Sequence, residues 1–254
     1  MPNLPKSDMI KDFAHEFLKV KEMGWIPSNR FHDTGIGKTF EDFIGVIENN
    51  KTSADYKGLI ELKSARELSG AMVTLFTKSP DPKGINNVLR KTFGYFDGEF
   101  KDMKILHTTF SADKFNTCKD CFGFALFVDN ENKKILIKIK DLKTDKIDDS
   151  VTAYYPFDKI RAIVEHKCKY IIFISAESKK EEGKEFFKFN KATLLYGMTF
   201  DKFLEFIKQG IIKYDFRLGV YRTGKNKGKT HDHGSGFRIN KKNLDKVFLI
   251  SEID

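Results

Sequence analysis

Apolar residues recur at helical spacing in several parts of the chain. Between Ser7 and Gly24 they repeat every three or four positions, which predicts a helix that Ser7 caps and Gly24 ends. A loop over residues 25–37 and a second helix over residues 39–49 follow. The same spacing predicts three later helices, within residues 79–94, 157–167 and 198–210.

Short apolar runs between these helices predict strands. Residues 55–65 and 71–78 are close enough in sequence to pair with each other. The further strands predicted are residues 103–110, 121–129, 133–141 and 170–178, with a hairpin turn at residues 130–132. Because no repeat or Pro/Ser-rich linker is present, we predict a mixed α/β (α+β) fold whose sheets are built from several hairpins.

The segment Gly-Ile-Gly-Lys-Thr at residues 35–39 resembles half of a phosphate-binding loop. That motif requires a glycine five positions before its second glycine, and it follows a buried strand. Here the required position is His32, and the preceding residues are typical of a loop. We therefore expect no nucleotide, and interpret the segment as a turn into a helix that begins near Lys38 or Thr39 and that Thr39 can cap.

The strand predicted at residues 55–65 carries an acid–acid–lysine pattern. Glu61 and Lys63, two residues apart, point to one face of a strand, while Ile60 and Leu62 pack on the other. Asp55 precedes the Lys57-Gly58 turn and can bend back towards them. Two carboxylates suit Mg²⁺, and a lysine beside them can hold a water molecule. Exposed strands also alternate Glu and Lys without any catalytic role.

The charge composition indicates the kind of partner that the protein binds. The chain has 45 Lys and Arg against 36 Asp and Glu, a formal charge of +9, and the excess is concentrated in residues 217–242. Such a balance favours a polyanion. No apolar stretch approaches the ~20 residues of a membrane span, and no secretion signal is visible, so we expect a cytoplasmic protein.

Two short motifs leave alternatives open. Cys118 and Cys121 have the spacing of half a zinc site, but no second pair follows, so we expect reduced thiols. His231 and His233 could form a surface loop, bind a transition metal, or contact bases.

In their order along the chain, the segments TGIGKTFED, DYKGLIELKS, TLFTKSP, YIIFISAESK and RTGKNKGKTHDHGSGFRIN resemble the MvaI/BcnI family of type II restriction endonucleases. The resemblance covers about residues 24–240. It implies a PD-(D/E)xK nuclease core with a second, DNA-recognition lobe. We place the catalytic lobe at about residues 1–110 and the DNA-recognition lobe at about residues 111–254, with a possible return to the core.

The resemblance also implies roles for individual residues. The catalytic residues are Asp55, Glu61, Lys63 and Glu41, of which Asp55 and Glu61 bind Mg²⁺. The residues that read bases in the major groove are Asp215, Arg217, His231, His233 and Arg238. Arginine and carboxylate suit the edges of G·C pairs. The expected phosphate contacts are Lys78, Arg222, Lys225, Lys227 and Lys229.

The implied activity is Mg²⁺-dependent cleavage of double-stranded DNA at a short pseudosymmetric CC(W/S)GG-type site. The enzyme would act as a monomer that nicks each strand in turn, in the cytoplasm of a prokaryote, with a cognate DNA methyltransferase as a genetic rather than a physical partner. Two alternatives share parts of this site. One is a nicking repair endonuclease related to MutH, and the other is a DNA-binding protein without catalysis.

Overall fold

The computed structural model describes residues 5, 7–31, 34–46, 54–119 and 121–253. Its α-helices are α1 (Ser7–Glu22), α2 (Gly35–Phe43), α3 (Ile85–Phe93), α4 (Phe157–Lys167), α5 (Phe200–Lys208) and α6 (Leu244–Val247). A 3-10 turn, Lys241–Asn243, precedes α6. None of the helices in the described part of the chain is long and apolar enough to cross a membrane.

Strands make up most of the remaining regular structure. They are β1 (Ile26–Pro27), β2 (Glu61–Arg66), β3 (Val73–Thr77), β4 (Tyr95–Phe96), β5 (Lys104–Phe110), β6 (Asn116–Cys118), β7 (Phe122–Asp129), β8 (Lys134–Asp141), β9 (Lys146–Ile147), β10 (Ala153–Pro156), β11 (Tyr170–Glu181), β12 (Lys184–Tyr196), β13 (Ile212–Val220), β14 (Thr230–Asp232), β15 (Gly236–Ile239) and β16 (Leu249–Ile253).

The chain divides into two compact units that interleave in sequence. The described residues of 1–73, 163–199 and 241–254 form the first unit, and those of 74–162 and 200–240 form the second. The sequence predicts instead two lobes that follow each other, with a boundary near residue 110 and a possible return to the core. The assignment of catalysis to one unit and of DNA reading to the other stays a prediction.

The first unit is built on a sheet with the strand order β1-β12-β11-β2, and β16 pairs with β12. Strand β2 runs parallel to β11, whereas β11 and β12 form a long antiparallel hairpin. Helix α1 packs against β12 and helix α2 against β2. The core between them is aromatic, with Phe13, Phe17, Phe40, Phe187 and Phe189 almost completely buried.

The second unit contains two sheets. One has the order β10-β8-β7-β6, with β9 on β8, and the other has the order β3-β15-β13-β5-β4, with β14 on β13. Buried aromatic rings pack next to each other in this unit, among them Phe110, Phe124, Tyr155, Tyr214 and Phe237. These contacts fix the inner face of β13, so the alternate residues of that strand face outward.

Most elements predicted from periodicity are present. The β7–β8 hairpin turns at residues 130–133, because Asp129 pairs with Lys134. Gly24 and Gly210 follow their helices with positive φ angles of 67° and 69°, a conformation that favours glycine. The predicted strand at residues 170–178 is confirmed as part of β11, whose first half is buried.

Two local predictions were wrong. Strand β3 pairs with β15, not with β2, whose partner in the described part of the chain is β11. Closeness in sequence did not decide the pairing, since both strands pair with partners that are distant in sequence. Helix α2 begins at Gly35 rather than near Lys38, so Thr39 is inside the helix, fully buried, and accepts a hydrogen bond from the Asn29 amide (3.0 Å) instead of capping. The helix ends at Phe43, so its predicted continuation is also wrong over residues 44–46, and residues 47–49 lie outside the described residues.

Candidate active site and DNA-reading surface

A tight turn places Asp55 beside strand β2. The Tyr56 amide donates to the Ile60 carbonyl (2.9 Å), and both Lys57 and Gly58 have positive φ angles, of 49° and 71°. This turn brings the chain back, so Asp55 Oδ2 accepts a hydrogen bond from the Leu62 amide at 3.0 Å. The backbone therefore fixes one oxygen of the carboxylate next to the strand.

Residues 60–63 alternate between the hydrophobic core and the candidate site, as the two-residue period of a strand predicts. Ile60 and Leu62 are buried in the aromatic core of the first unit. Glu61 is also shielded from solvent, and its Oε1 accepts a hydrogen bond from Lys63 Nζ at 2.6 Å. The strand thus presents a buried carboxylate and a lysine as a pair.

The two carboxylates are close enough to affect each other. Burial, followed by the negative charge of Glu61, raises the pKa of Asp55 above its ordinary value. The Leu62 amide and the charges of Lys63 and Lys167 act in the opposite direction. Additional positive charge at this place would therefore be stabilised by both acids.

Sequence reasoning missed Lys167. It is the last residue of helix α4, and its Nζ lies 3.5 Å from both Oε1 and Oε2 of Glu61. The pairing of β11 with β2 explains this position, because β11 begins at Tyr170, just beyond Lys167, and Ile171 lies opposite Glu61. The Glu61 carboxylate is consequently contacted by two lysines.

Glu41 lies on helix α2, which packs against β2. It lines a cavity of about 350 Å³ together with Ser64 of β2 and Arg30. Glu41 is therefore near the strand that carries Glu61 and Lys63. Its assignment as an additional acid stays a prediction.

The Gly-Ile-Gly-Lys-Thr segment is helical, so it does not form the loop between a strand and a helix that a phosphate-binding motif requires. Its residues belong to α2, and Lys38 Nζ forms an ion pair with Asp42 Oδ1 at 2.6 Å, one helical turn later. A Cβ at Gly35 would lie 2.4 Å from the Arg30 carbonyl oxygen, so glycine is needed there for close packing of the preceding loop. His32 and Asp33 lie outside the described residues.

The carboxylate oxygens of Asp55 and Glu61 suit a hard cation that takes only a few ligands from the protein. Within the described residues, no three His, Cys, Asp or Glu side chains come together so that they could hold a metal ion. Mg²⁺ does not need such a cage, since it keeps several waters and is bound through one or two carboxylates together with substrate phosphates. Asp55 and Glu61 fit that requirement.

In the second unit, strand β13 carries the first part of a polar surface. Tyr214, Phe216 and Leu218 are buried, whereas Asp215 and Arg217 alternate with them. The Asp215 carboxylate accepts a hydrogen bond from Thr109 Oγ1 at 2.7 Å. Its other oxygen lies 3.6 Å from Arg217 Nε, so the two predicted base readers are neighbours.

The Arg238 side chain is buried and contacts other groups of the same chain. It is only 8% exposed, and its Nε lies 3.0 Å from Asp215 Oδ2. Its two terminal nitrogens donate to Thr74 Oγ1 (2.5 Å) and to the Gly234 carbonyl (3.0 Å). Burial lowers the pKa of this guanidinium from its ordinary value. In this arrangement Arg238 holds the Asp215 carboxylate.

His231 and His233 belong to an aromatic cluster at the same sheet. The His231 ring stacks on Tyr221 with centroids 4.2 Å apart, and it lies 4.6 Å from the His233 ring. Burial, then the charges of His231 and other neighbours, lower the pKa of His233. A neutral imidazole has one donor and one acceptor nitrogen.

Comparison with known proteins identifies the family. The model of the MvaI/BcnI restriction endonuclease family matches residues 14–248. The chain belongs to this family.

Solved structures agree with this membership. The "Restriction endonuclease MvaI-cognate DNA substrate complex" is similar with a TM-score of 0.91 and 36% identity, over 98% of this chain and 100% of that one. "Restriction endonuclease MvaI in the absence of DNA" is similar with a TM-score of 0.60 and 33% identity, over 100% of both chains. A search of curated proteins found no match. The MvaI/BcnI family consists of type II site-specific DNA endonucleases, and the mixed α/β fold with a PD-(D/E)xK core is confirmed.

In this MvaI/BcnI endonuclease, a loop rich in basic residues (221–229) follows β13. An ion pair with a buried acid holds it in place. Arg222 donates to both oxygens of Asp97, at 2.6 and 2.5 Å, and the Asp97 side chain is completely shielded from solvent. The guanidinium holds the pKa of Asp97 well below its ordinary value. Arg222 therefore anchors the loop, while Lys225 and Lys229 are exposed and Lys227 lies 3.8 Å from Glu99. Their phosphate contacts stay a prediction.

Lys78 and the cysteines are the remaining residues that the sequence singled out. Lys78 is half-buried, and its carbonyl accepts a hydrogen bond from the Tyr214 hydroxyl at 2.7 Å. The thiols of Cys118, Cys121 and Cys168 are free. Burial raises the pKa of Cys168 to about 12, so this thiol is neutral.

Proposed function

We propose that this endonuclease hydrolyses DNA phosphodiesters with Mg²⁺ at a short pseudosymmetric CC(W/S)GG-type site, as a monomer that nicks each strand in turn. The observation that carries the proposal is the Glu61 carboxylate between Lys63 and Lys167, with Asp55 held beside it. Two acids and two ammonium groups at one strand provide both a cation site and positive charge for a phosphate.

Each residue of the site has a role in this proposal. Asp55 and Glu61 would hold Mg²⁺, which would supply positive charge to the phosphate and to the attacking water. Lys63 positions or activates that water, and Glu41 assists. Hydrolysis joins the water oxygen to phosphorus and breaks one P–O ester bond, while the proton passes to the leaving oxygen.

DNA recognition is proposed for the polar surface of the second unit. Asp215 and Arg217 would read the edges of G·C pairs, since carboxylate accepts from cytosine N4 and guanidinium donates to guanine O6 and N7. His231 and His233 would contact neighbouring bases. Lys78, Lys225, Lys227 and Lys229, with the exposed part of Arg222, would bind phosphates, which positions the duplex without reading its sequence.

Digestion of a sequenced plasmid by the purified protein tests this function. We expect Mg²⁺ to produce nicked circles first and linear DNA afterwards, with sequenced ends at one short pseudosymmetric site, and we expect EDTA to prevent both products. Nicked circles without linear DNA would instead support a MutH-like repair nickase. Intact plasmid at saturating Mg²⁺ would support a DNA-binding protein without catalysis. A cognate methyltransferase should protect the same site.

Replacement of Lys167 tests its place beside Glu61. We expect Lys167→Ala to slow single-turnover cleavage at least tenfold, because one of the two cations near the phosphate is lost, with little change in DNA affinity. Since Lys167 also neutralises Glu61, its removal should lower the Mg²⁺ concentration for half-maximal rate.

Lys169→Ala is the matched control for this measurement, because Lys169 is exposed two residues further on and lies over the Tyr170 ring. It should behave as wild type. Equal cleavage rates and equal Mg²⁺ requirements in the Lys167→Ala and wild-type proteins would contradict a role for Lys167.

A further inference from the structure

We infer that His107 of strand β5 is a further specificity-determining residue, which contacts a base edge next to Arg217 and His233. The inference rests on the proposed DNA-reading function of the second unit. His107 has no spacing or motif in common with the predicted readers, from which it is separated by about a hundred residues.

Strand register places His107 on the reading surface. Strands β5 and β13 are antiparallel, with His107 opposite Arg217 and Thr109 opposite Asp215. Directly opposed residues of antiparallel strands share one face of the sheet. Leu106 and Phe110 are buried on the other face, whereas His107 is exposed. Thr109 and His107 of β5 therefore form a row beside Asp215 and Arg217 of β13.

A glycine brings His107 and His233 together. A Cβ at Gly219 would lie 2.8 Å from His233 Nε2 and 3.0 Å from His107 Nε2. Both ring nitrogens therefore border the space next to Gly219, and the centroids of the His107 and His233 rings are 6.3 Å apart. Gly219 lies opposite His231, so the three histidines surround one residue of β13.

The chemistry of this histidine pair suits a base rather than a phosphate. Partial burial of the ring, then the charge of Arg217, lower the pKa of His107, while Asp215 and Asp97 act in the opposite direction and Arg222 reinforces the lowering. A neutral ring offers one N–H donor and one nitrogen acceptor. A donor matches guanine O6 or N7, and an acceptor matches the N4 amino group of cytosine. We therefore assign His107 to a G·C pair in the major groove.

Binding measurements with single-base-pair variants of the cleaved site test this inference. The Lys63→Ala background prevents cleavage, and duplexes carry the sequence mapped from the plasmid ends. We expect His107→Ala to reduce discrimination at one G·C pair by about tenfold, from the loss of one base contact. Discrimination at the other pairs should be unchanged. His107→Gln keeps a donor and an acceptor and should restore part of the preference.

His15→Ala provides the matched control, because His15 is an exposed histidine of helix α1. Unchanged discrimination at every pair in His107→Ala would overturn the inference, as would equal weakening on all duplexes with a lowered melting temperature, which indicates packing alone. If the Lys63→Ala protein itself showed no preference for the cleaved sequence, the proposed DNA-reading function would fail, and the inference with it.

Discussion

Replacing Lys63 by alanine should abolish cleavage while specific DNA binding persists. Lys63 Nζ lies 2.6 Å from Glu61 Oε1, and we propose that it positions or activates the attacking water. Loss of a positioned proton-transfer group slows an enzymatic reaction by about 10²–10⁴-fold. Single-turnover cleavage of one labelled duplex, together with its dissociation constant, separates the two effects.

Lys63→Arg refines this test, because arginine keeps the positive charge but is not deprotonated in proteins. Activity that returns with arginine would show that charge is sufficient. Activity that stays absent would indicate a lysine that takes a proton from water. A Lys63→Ala protein that cuts plasmid at the wild-type rate would show that the proposed mechanism is wrong.

The local part of the candidate site follows from the sequence. Side-chain alternation places Glu61 and Lys63 on one face and Ile60 and Leu62 in the core, and the structure has this arrangement. The Lys57-Gly58 turn is equally local, since its positive φ angles favour a sharp return of the chain. Such features depend on neighbouring residues only, so periodicity and turn chemistry were sufficient to predict them.

The remaining parts depend on contacts between distant segments. Lys167 is 106 residues from Glu61 in sequence and reaches it because β11 pairs in parallel with β2. The pairing of β3 with β15 is of the same kind, and sequence proximity suggested the wrong neighbour. No single-sequence pattern reports which strands pair across such distances. The burial of Arg238 was missed for the same reason, since Thr74 and Asp215 come from separate segments.

Arg238→Ala should have the second large effect, on specific binding and on stability together. Arg238 is 8% exposed, and its Nε lies 3.0 Å from Asp215 Oδ2. Removal of one partner from a buried ion pair costs about 3–5 kcal/mol of folding free energy, because the other charge is left uncompensated. We expect a lower melting temperature and at least a tenfold weaker affinity for the cleaved sequence, with non-specific binding nearly unchanged.

A double-mutant cycle with Asp215→Asn distinguishes support from direct reading by Arg238. If Arg238 acts by orienting Asp215, the affinity lost in the double variant should be close to that of Asp215→Asn alone, because coupled residues are not additive. Additive losses would indicate that Arg238 contacts a base itself. Arg217→Ala is the matched control, since Arg217 is exposed on the same strand as Asp215. Its replacement should weaken specific binding and lower the melting temperature far less, because the Arg217 side chain is exposed and its Nε lies 3.6 Å from Asp215 Oδ2, against 3.0 Å for Arg238 Nε.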